Sequence, residues 1–188
     1  MSLKNTLALL GIEVRDDAEA LTKNSRDTSI FERKPQLIAY PKNTDEVGTI
    51  VAQVARERAA GAPLSIAPRA AGTDMSGGPL TDSLVLSFTE HMHAIPEVAP
   101  GYVVAEPGVF YRDLEKETLA KAGAIIPSYP ASRELCALGG MIGNNSGGEL
   151  TLRYGKTADY VESLDVVLAD GSKTTLRPLS QSELAQKE

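Results

Sequence analysis

Cysteine occurs once in the 188 residues, at Cys136. That excludes a disulfide framework and a thiolate zinc site, and it makes the cytoplasm the expected compartment. Histidine occurs only as His91 and His93. Positive charge is short as well: 19 Lys and Arg stand against 25 Asp and Glu, a net charge of −6 at pH 7. Nucleic acid is therefore an unsuitable partner, because it needs a basic face to neutralise its phosphates. Any phosphate held here must be bound locally, by aimed backbone N–H groups. No apolar run approaches a membrane span. The stretch Leu7–Leu10 near the N-terminus is too short for a signal-peptide core. Neither the G-x-x-x-x-G-K-[ST] of a P-loop nor the Rossmann G-x-G-x-x-G is present. What remains is an ordinary globular composition, 42% hydrophobic and 23% charged. A chain of this size buries roughly 70% of its unfolded surface, enough for one domain or two small subdomains sharing a core.

The apolar pattern gives an α+β order. Leu3, Leu7 and Leu10 share a helical face that Gly11 ends, and a short helix is expected over Asp16–Lys23. Leu37–Tyr40 reads as a strand. Thr44 is placed to cap a helix with Asp45 and Glu46 in its first turn, and Val47, Ile50, Val51 and Val54 recur at helical spacing up to Gly61. "PLSIAP" (63–68) and "LVLSF" (84–88) read as strands, and a strand–helix–strand unit of this length favours a parallel pair. Then "YVVAEPG" gives a strand and turn, residues 110–123 a helix, and Asp170-Gly171 a hairpin turn between two alternating strands.

Two glycine-rich loops stand out. The first, "PRAAGTDMSGGP" (68–79), follows a strand; the second, "CALGGMIGNNSGG" (136–148), reads as a turn entering a short helix. Glycine allows positive φ and close approach of backbone to a ligand, and successive N–H groups form a concave anion site. A helix N-terminus would add its dipole. Two facing nests suit an extended anion such as a dinucleotide pyrophosphate. The bland alternative is that both are tight turns, the usual role of glycine clusters.

The series of motifs resembles the FAD-binding (PCMH-type) domain of the FAD-linked oxidases, the vanillyl-alcohol-oxidase superfamily, in its glycolate oxidase and D-lactate dehydrogenase-like subgroup. "PQLIAYPKNTDEVGTIV" is similar to the family's entry strand and helix, and "PRAAGTDMSGG" to its Arg-Gly-x-Gly-Thr-x-x-x-Gly loop. "YVVAEPGV" resembles its valine-glutamate-proline-glycine turn. The stretch from Tyr129 to Gly171 resembles its Gly-Gly, Asn-x-x-Gly, Arg-Tyr-Gly and Ala-Asp-Gly series. The resemblance covers roughly residues 30–176. It implies one FAD-binding domain over 1–188, with subdomain one at about 30–90 and subdomain two at about 91–180 holding FAD between them. It also implies that the substrate domain following the flavin domain is absent from this chain. Carried onto this sequence, the cofactor contacts fall on Pro68, Arg69, Ala70, Ala71, Gly72, Thr73, Asp74, Met75 and Gly77 in the first loop. In the second they fall on Pro130, Ser132, Leu138, Gly139, Gly140, Gly143, Asn144, Asn145 and Gly147, and beyond it on Tyr154, Gly155 and Val161. The family has glycine where this chain has Ala70; at a positive-φ position alanine costs on the order of 1 kcal/mol.

Some relatives attach flavin through a histidine in the first loop or a cysteine near the second. Here "AGTDM" has no histidine, and Cys136 is one position short of the expected spacing, so FAD is expected to be noncovalent. His91 and His93 would share a face if on a strand, but no third metal ligand accompanies them, and a solvated turn is the simpler reading. Glu106 is read as a strand-end acid, with a general base as its alternative. Asp113, Glu115 and Glu117, interleaved with Arg112, Lys116 and Lys121, read as a solvated helix face. The catalytic base is not assigned. Oxidation of a 2-hydroxy acid needs a base and a carboxylate clamp, and the expectation is that these come from a C-terminal domain or a partner subunit. An electron acceptor at the inner membrane would make the association with that membrane peripheral. The rivals are a flavoenzyme like UDP-N-acetylenolpyruvoylglucosamine reductase, using NADPH, and a nucleotide-binding or assembly module without turnover.

Overall fold

A computed structural model describes residues 2–186. The first lobe is a four-stranded sheet in the order β1-β2-β4-β3, made of β1 (Glu13–Arg15), β2 (Leu37–Tyr40), β3 (Ile66–Arg69) and β4 (Leu84–Ser87). β2 and β3 both run parallel to β4, which lies between them, and β1 closes the edge antiparallel to β2. The expected strand–helix–strand unit is present, but its two strands are separated by an inserted neighbour. Every residue of β2 and β4 is buried, as expected of central strands covered on both faces. Leu37, Ala39, Leu84 and Leu86 face one cluster with Leu7 of α1 (Leu3–Leu9) and Val47, Ile50 and Val54 of α3 (Thr44–Ala59). The alternate residues Ile38, Tyr40 and Val85 meet Ala20 of α2 (Ala18–Lys23) on the other face. Asn43, not Thr44, caps α3: its side chain accepts the Glu46 N–H at 2.9 Å, while Glu46 reaches back to the Lys42 N–H. Asparagine and threonine are both good caps, so only the geometry separates them.

The second lobe packs α4 (Tyr111–Ala122) and α5 (Leu138–Gly143) around Val109, Tyr111, Leu114, Cys136 and Met141. A hairpin of β5 (Glu97–Ala99) and β6 (Tyr102–Val104) lies against α4. α6 (Thr151–Tyr154) and a short 3-10 turn at Thr157–Tyr160 follow. The hairpin of β7 (Leu164–Val167) and β8 (Lys173–Leu176) turns as expected, with Gly171 left-handed at φ +88°. Though late in the chain, it packs on the first lobe: the backbones of Gly48 in α3 and Gly171 meet so closely that a Cβ on either would strike the other's carbonyl. α7 (Gln181–Ala185) ends the described chain. Glu115 corrects one expectation: its side chain is 14% exposed and paired with Arg133, whose guanidinium lies 4.5 Å over the Tyr129 ring. The mixed charges of α4 are thus solvated except at this position.

The lobes are joined through the turn Glu106-Pro107-Gly108. Gly108 donates to the Met92 carbonyl at 2.8 Å and Glu106 to that of Ala94 at 3.0 Å, while the Glu106 carboxylate accepts the Ala94 N–H at 2.8 Å. Glu106 is therefore a structural acid at the turn. Gly108 has no room for a Cβ, which would overlap the carbonyls of Phe88 and Met92.

Candidate functional site

β3 runs as far as Arg69, so the first loop proper begins at Ala70. The six consecutive backbone N–H groups from Ala70 to Met75 have no hydrogen-bond partner among the described residues, although Ala70 to Asp74 are only half exposed. Backbone donors left unpaired by the protein are free to meet water or a ligand. Gly72 bends the run at φ +71° and also leaves the space taken by the Arg69 guanidinium. Arg69 is buried; its Nη2 donates to the Arg26 carbonyl at 2.8 Å, and its Nη1 is buried without a partner. Burial lowers the Arg69 pKa and the charge of Asp27 offsets part of this, so a positive charge lies beneath the loop.

Ala70 is not left-handed, since Asn145 is the one non-glycine residue with positive φ among those described. The departure from the family's glycine therefore carries no strain here. Pro68 lies on β3 and has no N–H to give. Gly77, at φ +85°, gives its N–H to Asp27 and so is not a free donor.

The second loop differs from the expected nest. The N–H of Leu138 donates to Val109, that of Gly139 to Pro107, and those of Gly140 and Met141 to Ala137. The first turn of α5 is therefore saturated by protein carbonyls, and its dipole is not presented through free donors. Gly139 is small because it lies on Pro107, where a Cβ would come within 2.9 Å of the proline Cβ. Gly140 and Gly143 do something else. A Cβ on Gly140 would make ordinary contact with the Ala70 Cβ at 3.9 Å, and one on Gly143 would meet nothing within 4 Å. Neither is left-handed. Together they form a wall without side chains, which Gly140 turns toward Ala70 of the first loop.

Asn144 joins wall to loop, donating through Nδ2 to Asp74 Oδ1 at 2.9 Å. Burial opposes ionisation of Asp74, but hydrogen bonds from Gly78, Ser76 and Asn144 outweigh it and hold the carboxyl below its ordinary range. Asn145 (φ +44°) turns away and accepts the Ala158 N–H. Gly147 precedes a backbone contact of Gly148 with Tyr129. The Gly155 carbonyl accepts from Ser128, the Tyr154 carbonyl accepts the Tyr160 hydroxyl, Val161 donates its N–H to Ala158, and Ser146 just after α5 accepts from Thr157. Pro130 and Ser132 open the turn leading to Cys136, their carbonyls accepting from Arg133 and from Leu135 and Cys136. Sequence reasoning missed the segment Arg26–Phe31, which contacts the first loop directly.

His91 Nε2 lies 2.8 Å from the Glu13 carboxylate. His93 lines a separate cleft with Phe110 and Arg112. Among the described residues no three His, Cys, Asp or Glu side chains converge as metal ligands, and no helix is long and apolar enough to cross a membrane.

A run of unpaired amides near a buried guanidinium, with Gly140 beside Ala70, lies in a two-lobed α+β domain and suits an anionic group. The orphaned donors and the absence of side chains across the gap fit a pyrophosphate with a body on either side. The chain belongs to the FAD binding domain family, which it matches over residues 35–177. It is 36% identical over 167 residues to the glycolate oxidase subunit GlcD of Bacillus subtilis, covering 86% of this chain and 34% of that protein. It is 32% identical over 164 residues to D-2-hydroxyglutarate dehydrogenase of Escherichia coli, covering 86% of this chain and 16% of that one. Identity to the D-lactate dehydrogenase of Archaeoglobus fulgidus is 34% over 158 residues, 77% of this chain and 34% of the relative. The chain thus spans about a third or less of these relatives. Its fold matches the glucooligosaccharide oxidase of Acremonium strictum with a TM-score of 0.77 at 20% identity, over 98% of this chain and 38% of that one. In that oxidase the FAD is described as 6-S-cysteinyl, 8α-N1-histidyl.

Proposed function

We propose that this chain is the FAD-holding part of an FAD-linked dehydrogenase or oxidase acting on a 2-hydroxy acid. The observation that carries the proposal is the run of unpaired N–H groups from Ala70 to Met75 opposite the Gly140–Gly143 wall. In this reading those amides hold the pyrophosphate. Arg69 adds positive charge beneath them, the two glycines admit the cofactor, and Asn144 with Asp74 fixes the width of the gap. The bound flavin supplies a hydride acceptor, and the protein's part is binding and orientation. The substrate class rests on three relatives named for glycolate, D-lactate and D-2-hydroxyglutarate, which share a hydroxyl beside a carboxylate.

The test is a paired titration. FAD quenches on binding, whereas FMN, which lacks the pyrophosphate, binds at least about tenfold more weakly, since charge-assisted hydrogen bonds contribute roughly 1.5–3 kcal/mol each. Equal affinity for both would remove the pyrophosphate from the loop. With a substrate-binding domain or partner subunit present, bleaching by D-lactate or glycolate and not by NADPH separates this reading from a UDP-N-acetylenolpyruvoylglucosamine reductase-like enzyme.

FAD attachment in this reading is noncovalent. The first loop has no histidine or cysteine. The Cys136 thiol is buried, points to the Arg133 carbonyl at 3.8 Å, and is pushed up in pKa by that burial, the opposite of an activated thiolate. A single buried free thiol also fits the reducing cytoplasm. Precipitating the holoprotein with acid is expected to leave the flavin in the supernatant; yellow colour in the pellet would show a covalent bond.

A further inference from the structure

The first loop is held from behind by a segment that precedes the 35–177 family match. Thr28 donates its N–H to the Asp74 carbonyl at 3.0 Å, and its hydroxyl proton is shared between the carbonyls of Thr73 (3.0 Å) and Asp74 (2.8 Å). Asp27 Oδ2 accepts the Gly77 N–H at 3.0 Å, and its Oδ1 accepts from Ser29. The Arg26 carbonyl accepts from Arg69 Nη2. Phe31 packs on Gly77, where a Cβ would lie 3.1 Å from its ring. Side chain and backbone of Arg26–Phe31 thereby grip the loop at Arg69, Thr73, Asp74 and Gly77.

We infer that Arg26–Phe31 is a brace that aims the cofactor-binding amides, with Thr28 as its positioning residue. The argument is peptide geometry. In a planar trans peptide the C=O and N–H point in opposite directions, and the described chain has no cis peptide. The Thr73 carbonyl shares its peptide with the Asp74 N–H, and the Asp74 carbonyl with the Met75 N–H. Fixing both carbonyls on Thr28 turns both N–H groups away from the brace. Short polar side chains suit this work because they bond nearby backbone readily. Without the grip, a loop containing Gly72 and Gly77 is free to rotate these peptides, and the run of amides loses its common direction.

The inference rests on the FAD-holding reading, and the experiment separates the two. Thr28→Val keeps the shape and removes the hydroxyl; Thr28→Ser restores it; Asp27→Ala removes the acceptor for Gly77. The readouts on the 188-residue chain are FAD affinity, apo melting temperature, and amide exchange at Gly77 and residue 28. Thr28→Val is expected to weaken FAD binding by roughly three- to tenfold, the effect of one hydrogen bond. Thr28→Ser is expected to stay within about twofold of wild type. Melting temperatures of the Thr28 variants should agree with wild type within about 2 °C, while exchange at the two amides speeds up roughly tenfold in Asp27→Ala. Wild-type affinity in Thr28→Val overturns the assignment. So does a loss that Thr28→Ser shares, or one that only follows a fall in melting temperature. If the wild-type chain fails to bind FAD, the functional reading fails by itself. Exchange in the apo chain still decides the brace, and unchanged exchange in Asp27→Ala overturns it.

Discussion

The 188-residue chain loaded with FAD and mixed anaerobically with D-lactate, L-lactate, glycolate or 2-hydroxyglutarate is expected to keep its flavin oxidised. Each acidic or imidazole group in reach of a general-base role is already engaged. Asp74 is held by Ser76, Gly78 and Asn144, Glu106 by the Ala94 N–H, and His91 by Glu13. His93 lines the cleft beside Phe110 and Arg112 and not the gap between Ala70 and Gly140. Losing general-base catalysis alone forfeits roughly 10²- to 10⁴-fold. Losing substrate orientation removes more, since correct placement accounts for about 7–11 kcal/mol of barrier reduction. Stopped-flow absorbance at the flavin band is the measurement. Rapid, stereoselective bleaching by any one of the four acids would place a complete active site within these residues.

Gly140→Val is expected to abolish useful FAD binding while leaving the chain folded. Gly140 is exposed and has an ordinary helical backbone, so the cause is not backbone strain. The added Cβ itself makes ordinary contact with Ala70 at 3.9 Å, which the fold tolerates. The two further methyls project into the gap that the cofactor needs. Overpacking of a filled site costs about 1–3 kcal/mol, so affinity falls by up to roughly a hundredfold. The measurement is flavin titration of the variant beside its melting curve. Unchanged affinity would remove Gly140 from the wall.

The central strands and the long helix of the first lobe were legible from apolar runs and helical spacing. Leu37–Tyr40 and Leu84–Ser87 are unbroken apolar runs, and Val47, Ile50 and Val54 recur at helical spacing. β1 and β5 were missed because three-residue edge strands carry too few side chains to show alternation. Both glycine loops were legible as loops, but not the different use of their glycines. Gly72 serves conformation and the space of Arg69, Gly139 the contact with Pro107, and Gly140 an open wall. Composition is the same in each case; only the neighbour differs, and the neighbours are distant in sequence. The brace was illegible for the same reason. Arg26–Phe31 carries short polar residues typical of any turn, and its partners lie some 45 positions downstream.

The contact between Gly48 and Gly171 has a consequence for how the chain is made. These glycines are 123 positions apart (171 minus 48). At about 5–20 residues per second of synthesis, the face of α3 at Gly48 and Ala52 waits roughly 6–25 seconds for the hairpin that covers it. The N-terminal lobe therefore emerges from the ribosome with its sheet complete and one face of α3 still uncovered. Its last packing step waits on residues encoded near the other end of the described chain.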